Sequence, residues 1–389
     1  MKKIYLDNAA TTRVSGEVLS AMLPYYTEYY GNANSLHSFG LEAGKAVEEA
    51  RTTLAGLINA SPKEMFFTSG GTEGNNWIIK GIARANTHRG KHIIVSSIEH
   101  HSILESAREL ENEGFKVTYL PVDETGMVDM VELMHAITPE TTLVSIMAVN
   151  NEVGTIQNIK AIGDILKDYK AYFHVDVVQA MGCLHIDVKD MKIDALTMSS
   201  HKVHGPKGVG AVYIKTGTPI KKLIQGGEQE SGRRGGTTNV PGVVGMGKAM
   251  SIAVRDIDVN NKKLQDLTEY FVNKLNYAIP DIKFNGNFGQ KAPGIINVSF
   301  KYIEGESILV KLDLEGVAVS TGSACASNSL EKSHVLKAMG LSHEDINGAI
   351  RFSFGADNTK EEIDYVVEKL VTIVADLRKM SPLSRKKGK

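Results

Sequence analysis

A few short segments carry residue types whose spacing could support chemistry. Ser199-Ser200-His201-Lys202-Val203-His204-Gly205-Pro206-Lys207-Gly208 sets a lysine just past a strand-like run and before a Gly/Pro turn. Ligands in α/β folds sit at such strand ends, and an amine desolvated there condenses with an aldehyde to a Schiff base. The plain alternative is a solvated lysine in a polar loop. His174-Val175-Asp176-Val177-Val178-Gln179 ends an apolar run on a carboxylate. Burial disfavours that ion, so Asp176 needs a partner: a protonated pyridine nitrogen, a helix start or a structural arginine. Thr68-Ser69-Gly70-Gly71-Thr72-Glu73 is a glycine turn leading into a helix near Thr72. Free backbone N–H groups beside a hydroxyl make an anion site with phosphate as its natural occupant, unless this is only a capped helix.

Other segments are more open. In Ile98-Glu99-His100-His101, adjacent histidines do not share a helix face, so chelation by the pair is not expected. One imidazole there could stack on an aromatic ring, shuttle a proton or bond the loop. Ser320-Thr321-Gly322-Ser323-Ala324-Cys325-Ala326-Ser327 surrounds a thiol with small residues that cannot pack a core, so Cys325 is read as chemically available. Cys183, in Met181-Gly182-Cys183-Leu184, reads as buried filler. The glycine-rich stretch Gly226–Thr238 carries Arg233, Arg234, Thr237 and Thr238, and Arg351 could clamp a carboxylate bidentately. Gly242-Val243-Val244-Gly245-Met246-Gly247-Lys248-Ala249 nearly matches a P-loop, but it has alanine at the magnesium-ligand position and no preceding strand. It is read as a helix start.

The elements that must position these groups alternate. Strands are expected at 92–96, 116–120, 142–146, 172–176, 195–199 and 210–214, with helices near 45–59, 73–86, 101–113, 129–136 and 158–169. Most of the strands are apolar on both faces, which implies a mainly parallel sheet covered by helices. A long helical pattern then runs from about 244 to 278. Beyond Pro280, strands near 294–300, 317–320 and 350–354 mix with helices near 304–314, 331–339 and 360–378, as in a smaller α+β domain.

Composition narrows the function classes. The chain has 389 residues, with 44 Lys+Arg against 45 Asp+Glu. A net charge of −1 argues against a bulk electrostatic grip on nucleic acid or membrane. Two cysteines cannot make a disulfide scaffold, a Cys-rich zinc site or an iron–sulfur site within one chain. No apolar run has the length of a membrane span, and no leader-like apolar stretch follows Lys2-Lys3, so a cytoplasmic protein is expected.

Together, a phosphate site, a buried carboxylate, a lysine amine and a stacking histidine describe a pyridoxal phosphate (PLP) pocket. Their order resembles the fold-type I PLP enzymes of the class V aminotransferase-like group, and within it the cysteine desulfurases of the NifS/IscS type. Tyr5-Leu6-Asp7-Asn8-Ala9-Ala10-Thr11-Thr12, Tyr30-Gly31-Asn32-Ala33-Asn34-Ser35-Leu36-His37, Asn150-Asn151-Glu152-Val153-Gly154-Thr155-Ile156-Gln157 and Ile350-Arg351-Phe352-Ser353 carry the resemblance over nearly the whole chain. It implies an α/β fold with a large PLP-binding domain (15–255) on a mainly parallel seven-stranded sheet. A small α+β domain (1–14 with 256–389) would hold the Cys325 loop.

The resemblance also implies roles. Lys202 would carry PLP, Asp176 would meet its pyridine nitrogen, Gln179 its phenolic oxygen, and His100 its ring face. Gly71, Thr72, Ser199 and His201 would hold the phosphate, joined by Thr237 from a second subunit of a homodimer. Asn151, at the cofactor's edge, and Arg351 would bind the substrate carboxylate, with Asn34 a further candidate. Lys202, His100 and the Cys325 thiol would act on L-cysteine, leaving L-alanine and a persulfide for an iron–sulfur scaffold or another acceptor, as in tRNA thiolation or cofactor synthesis. No metal site is implied, beyond Cys325 as a transient iron–sulfur ligand. A selenocysteine lyase or a class V aminotransferase would share this pocket, but transamination needs no thiol. The ending Ser384-Arg385-Lys386-Lys387-Gly388-Lys389 departs from the acidic, aromatic tail of close relatives.

Overall fold

In the computed structural model of the protein, which describes residues 3–321 and 332–382, the alternating segments form three sheets. A short strand, β1 (Ile4–Tyr5), opens the chain. The large sheet holds β2 (Met65–Thr68), β3 (His92–Ser96), β4 (Lys116–Leu120), β5 (Thr141–Ser145), β6 (Tyr172–Asp176), β7 (Ala195–Ser199) and β8 (Gly210–Ile214). Their order is β2-β8-β7-β6-β5-β3-β4. Only β8 runs against its neighbours β2 and β7; the other pairings are parallel.

The apolar strand sequences explain the layering. Ile93 and Val95 of β3 pack with Trp77, Ile78 and Leu104 from helices Gly71–Ala85 and His101–Asn112. Ile94, between them, joins the opposite core with Val47, Leu54, Val243 and Met246 from helices Ser38–Leu57 and Val240–Arg255. A strand's period of two thus feeds two helical layers from one sheet.

The later part of the chain adds β9 (Ile282–Asn285), β10 (Ile295–Phe300), β11 (Val317–Ala318) and β12 (Ala349–Ser353). The antiparallel order is β12-β10-β9, while β11 takes β1 as a parallel partner. Ile4 and Leu6 share a core with Phe271, Phe352, Ile363 and Leu370 from β12 and helices Ile257–Ala278 and Lys360–Met380.

Several boundaries differ from expectation for local reasons. The single helix expected over 244–278 is two helices, because Asp256 leaves helical geometry at φ −101°, ψ 11°. Its carboxylate accepts two hydrogen bonds from Arg255 at 2.7 Å. The first of the two begins at Val240, where Asn239 Oδ1 accepts from the Gly242 N–H at 3.1 Å, so the P-loop-like stretch lies inside a helix. The helix expected from 45 starts at Ser38, capped by His37 Nδ1. That expected over 331–339 runs His334–Ala338 under a Ser333 cap; residue 331 lies outside the described residues.

Candidate active site

The carboxyl ends of the parallel strands converge on one cavity of about 430 Å³. Asp176 is the last residue of β6 and is buried. Asn75 Nδ2 donates to its Oδ2 and the Val178 N–H to its Oδ1, each at 2.8 Å. Burial pushes the Asp176 carboxyl above the usual carboxylate range. The same Asn75 amide donates to Ser102 Oγ at 2.9 Å, and Ser102 Oγ lies 2.8 Å from His100 Nδ1. Asp176 and His100, far apart in sequence, are therefore linked through Asn75 and Ser102.

His100 caps helix His101–Asn112, its Nδ1 accepting from the Ser102 N–H at 3.1 Å. Burial, then the Lys202 and His101 charges, lower its pKa to about 4, so the ring is neutral at ordinary pH. Lys202 closes the short turn Ser200–Lys202 that follows β7. Its ammonium donates to the Ala9 carbonyl and, at 2.8 Å, to that of Ala10. Gln179 Nε2 also donates to the Ala9 carbonyl, at 2.8 Å. The turn is tight: a side chain at Gly205 would meet Ser200 Oγ at 1.9 Å.

Gly70 precedes helix Gly71–Ala85 at φ +153°, a region open in practice to glycine alone. Gly71, Thr72, Ser199 and His201 line both the cavity and a shallower pocket beside it. Ser199 Oγ is buried there with no hydrogen-bond partner among the described residues. His201 accepts or donates at Thr11 Oγ1, 3.2 Å away, and burial lowers its pKa to about 4.

The remaining wall comes from β12. Arg351 is 1% exposed. Its Nη1 donates to the Asn151 carbonyl at 3.0 Å and its Nη2 to Asp7 Oδ1 at 2.8 Å, while Nε has no partner among the described residues. Beside it, Glu152 Oε2 accepts from Ser333 Oγ at 2.5 Å. His334 donates from Nε2 to the Glu99 carbonyl at 2.9 Å, and its ring lies 4.6 Å from that of His101.

Lys202, Asp176, His100, Gln179, Gly71, Thr72, Ser199, His201, Asn151 and Arg351 thus share one cavity. Thr237 and Asn34 do not join it. Thr237 is exposed, and Asn34 lines a separate cavity with Arg51 and Glu230. Cys325 lies outside the described residues, but its flanks reach this wall. Ser320 exchanges two backbone hydrogen bonds with Arg351, and Ser333 bonds Glu152. Cys183 is partly exposed, and burial of its thiol pushes the pKa up to about 12. Asn75, Ser102, Glu99 and Glu152 were not marked by sequence reasoning. For Asn75 a signal existed: it sits three residues after Thr72, on the same face of the helix's first turns.

Comparison with known proteins places this arrangement. The sequence pattern of the family "Aminotransferase class-V" matches residues 4–366. A cysteine desulfurase IscS of Clostridium botulinum is 52% identical over 384 residues, covering 98% of this chain and 97% of its own. A human cysteine desulfurase is 47% identical over 386 residues, covering 98% of this chain and 84% of its own. The solved structure of a NifS-like protein superposes with a TM-score of 0.92 at 41% identity, covering 97% of this chain and all of that one. With this likeness running almost end to end, the chain belongs to the class-V aminotransferase family and, within it, to the cysteine desulfurases.

Proposed function

We propose that the chain, with PLP bound in the strand-end cavity, takes sulfur from L-cysteine, releases L-alanine and leaves a persulfide on Cys325. One observation carries this reading: a lysine amine, a buried carboxylate and a buried unpartnered hydroxyl at a helix start face a single cavity. The residues fit the cofactor. Asp176 has hydrogen bonds from neutral donors and no ion pair among the described residues, which suits a protonated pyridine nitrogen. Ser199 Oγ and the N–H groups opening helix Gly71–Ala85 suit a phosphate, with Thr72 and His201 beside them. Gln179 would take the phenolic oxygen and His100 the ring face.

When bound, PLP supplies an electron sink for the substrate's Cα. Arg351 would orient the substrate carboxylate, with Asn151 beside it. Lys202 Nζ moves the proton at Cα. His100, held neutral by burial, adds no competing charge. The Cys325 thiolate attacks the substrate sulfur. An S–S bond forms, the Cβ–S bond breaks with its electron pair kept by carbon, and Cβ takes up a proton. The persulfide sulfur then passes to an acceptor thiol or an iron–sulfur scaffold by exchange.

The reading includes a homodimer. Leu19, Leu23, Tyr26, Tyr30, Leu36 and Leu41 are exposed apolar side chains in one stretch of sequence, which suits a surface covered by a second copy. Thr237 and Asn34, outside this chain's own cavity, would then serve the partner's. It also divides the chain into a unit of residues 15–255 and one of 1–14 with 256–389. No helix among the described residues is long and apolar enough to cross a membrane.

The test is direct. PLP-loaded protein given L-cysteine and a thiol should form alanine and sulfide in equal amounts, and Cys325→Ser should nearly abolish both. Alanine output unchanged in Cys325→Ser would remove the thiol from the reaction and favour a lyase-type cleavage of the Cβ–S bond that needs no persulfide.

A further inference from the structure

Glu152 is a buried carboxyl that the mechanism above does not use. It is 4% exposed and lines the cavity beside Arg351. Its backbone is held by two hydrogen bonds, and the preceding carbonyl by a third. The Glu152 N–H donates to Asn150 Oδ1 at 2.9 Å, its carbonyl accepts from Asn297 Nδ2 at 3.3 Å, and the Asn151 carbonyl beside it holds Arg351 Nη1. Its side chain holds Ser333, whose Oγ also accepts from the Leu336 N–H at 3.1 Å and caps the helix carrying His334. So one buried carboxyl lines the cavity with the guanidinium and anchors the Ser333 cap on the same wall.

We propose that Glu152 is a positioning residue for carboxylate recognition: charged, it competes for Arg351, and an arriving amino-acid carboxylate draws a proton onto it. This rests on the assignment of Arg351 to the substrate carboxylate. Two carboxylates in one cavity beside one guanidinium repel each other, and protonating the protein's own buried acid relieves that repulsion. Burial raises Glu152 to about 7, against the opposing effects of the Ser333 hydrogen bond and the Arg351 charge. Asp7 holds Arg351 from another side. Of the other groups around the cavity, His100 and His334 are both lowered to about 4 by burial, with the His101 ring 4.6 Å from that of His334 and tilted against it. Glu99 is raised to about 8 beside Asp176, not Arg351. Lys202 and Asp176 line the same cavity.

Titration calorimetry of PLP-loaded protein with L-alanine, in buffers of different ionisation heat, tests this. Affinity in the parent should fall by about tenfold as pH rises through neutrality, the equivalent of one unit of coupling, with proton uptake on binding. Glu152→Gln, which keeps an acceptor for Ser333, should bind with a flat profile over that range and take up less than the parent. Ser333→Ala removes a hydrogen bond that favours the charged form, so its midpoint should move to higher pH. Identical profiles and proton counts in the parent and Glu152→Gln, or an unmoved midpoint in Ser333→Ala, would overturn the proposal. L-alanine bound as tightly by Arg351→Lys as by the parent would overturn the Arg351 assignment itself.

Discussion

On one side of the cavity, Asp176 and Lys202 stand at the ends of β6 and β7, neighbouring parallel strands, and His100 follows β3. On the other, Arg351 on β12 meets Asp7 across 344 positions of sequence, and Ser333 meets Glu152 across 181. The first wall follows from sheet topology: each strand delivers its residue where it ends. The second exists only because β12, the N-terminal stretch and the Ser333 cap pack together. The strand-end wall should therefore govern the chemical step, and the assembled wall should govern recognition and its response to pH.

Removing the amine breaks this comparison hardest. Lys202→Ala should lower alanine formation from L-cysteine by at least about a thousandfold, because among the described residues no other group on that wall supplies both a base and an attachment point. A loss confined to KM would show the strand-end wall to be a binding surface only. Next in size, Arg351→Lys replaces a planar fork with a point charge and also loosens Asp7 and the Asn151 carbonyl. KM for L-cysteine should rise by about ten- to a hundredfold while kcat changes less, measured from initial rates of alanine release. An equal fall in kcat with KM unchanged would erase the distinction between the two walls.

The smallest effect sharpens the junction. Glu99 is fully buried, accepts from Ser96 Oγ at 2.6 Å and the Met147 N–H at 2.7 Å, and is pushed up to about 8 chiefly by burial. In the unfolded chain it titrates near the ordinary carboxylate value of about 4.3. Between these values the folded chain keeps a proton that the unfolded one has lost, so this group's contribution to stability declines as pH rises across that window. Glu99→Gln should show a shallower decline in Tm between about pH 5 and 8 than the parent, followed by circular dichroism. Parallel declines would mean that Glu99 is charged when folded.

Much of the strand-end wall was legible. Lys202 and Asp176 stood at the ends of apolar runs, and the turn before Thr72 announced itself by its glycines. Five of the six expected strands of the large sheet have the expected bounds. The links between these residues were not legible. Asn75 and Ser102 read as ordinary helix residues, and only the packing of helix Gly71–Ala85 against helix His101–Asn112 makes them a bridge between Asp176 and His100. The break at Asp256 was also missed, because a helical hydrophobic pattern continues through it.

The alternating pattern of apolar runs determined that the chain makes a helix-covered, mostly parallel sheet, and that Asp176 and Lys202 stand where strands end. Local order of residues suffices for that, since a strand's period and a turn's glycines act over a few positions. Tertiary structure decided which carboxyls are pushed above their ordinary range and what holds Arg351. Glu99 and Glu152 are displaced from ordinary carboxyl behaviour by desolvation, and Arg351 is fixed by Asp7 and the Asn151 carbonyl. Desolvation and ion pairing depend on neighbours that only folding brings within a few ångströms.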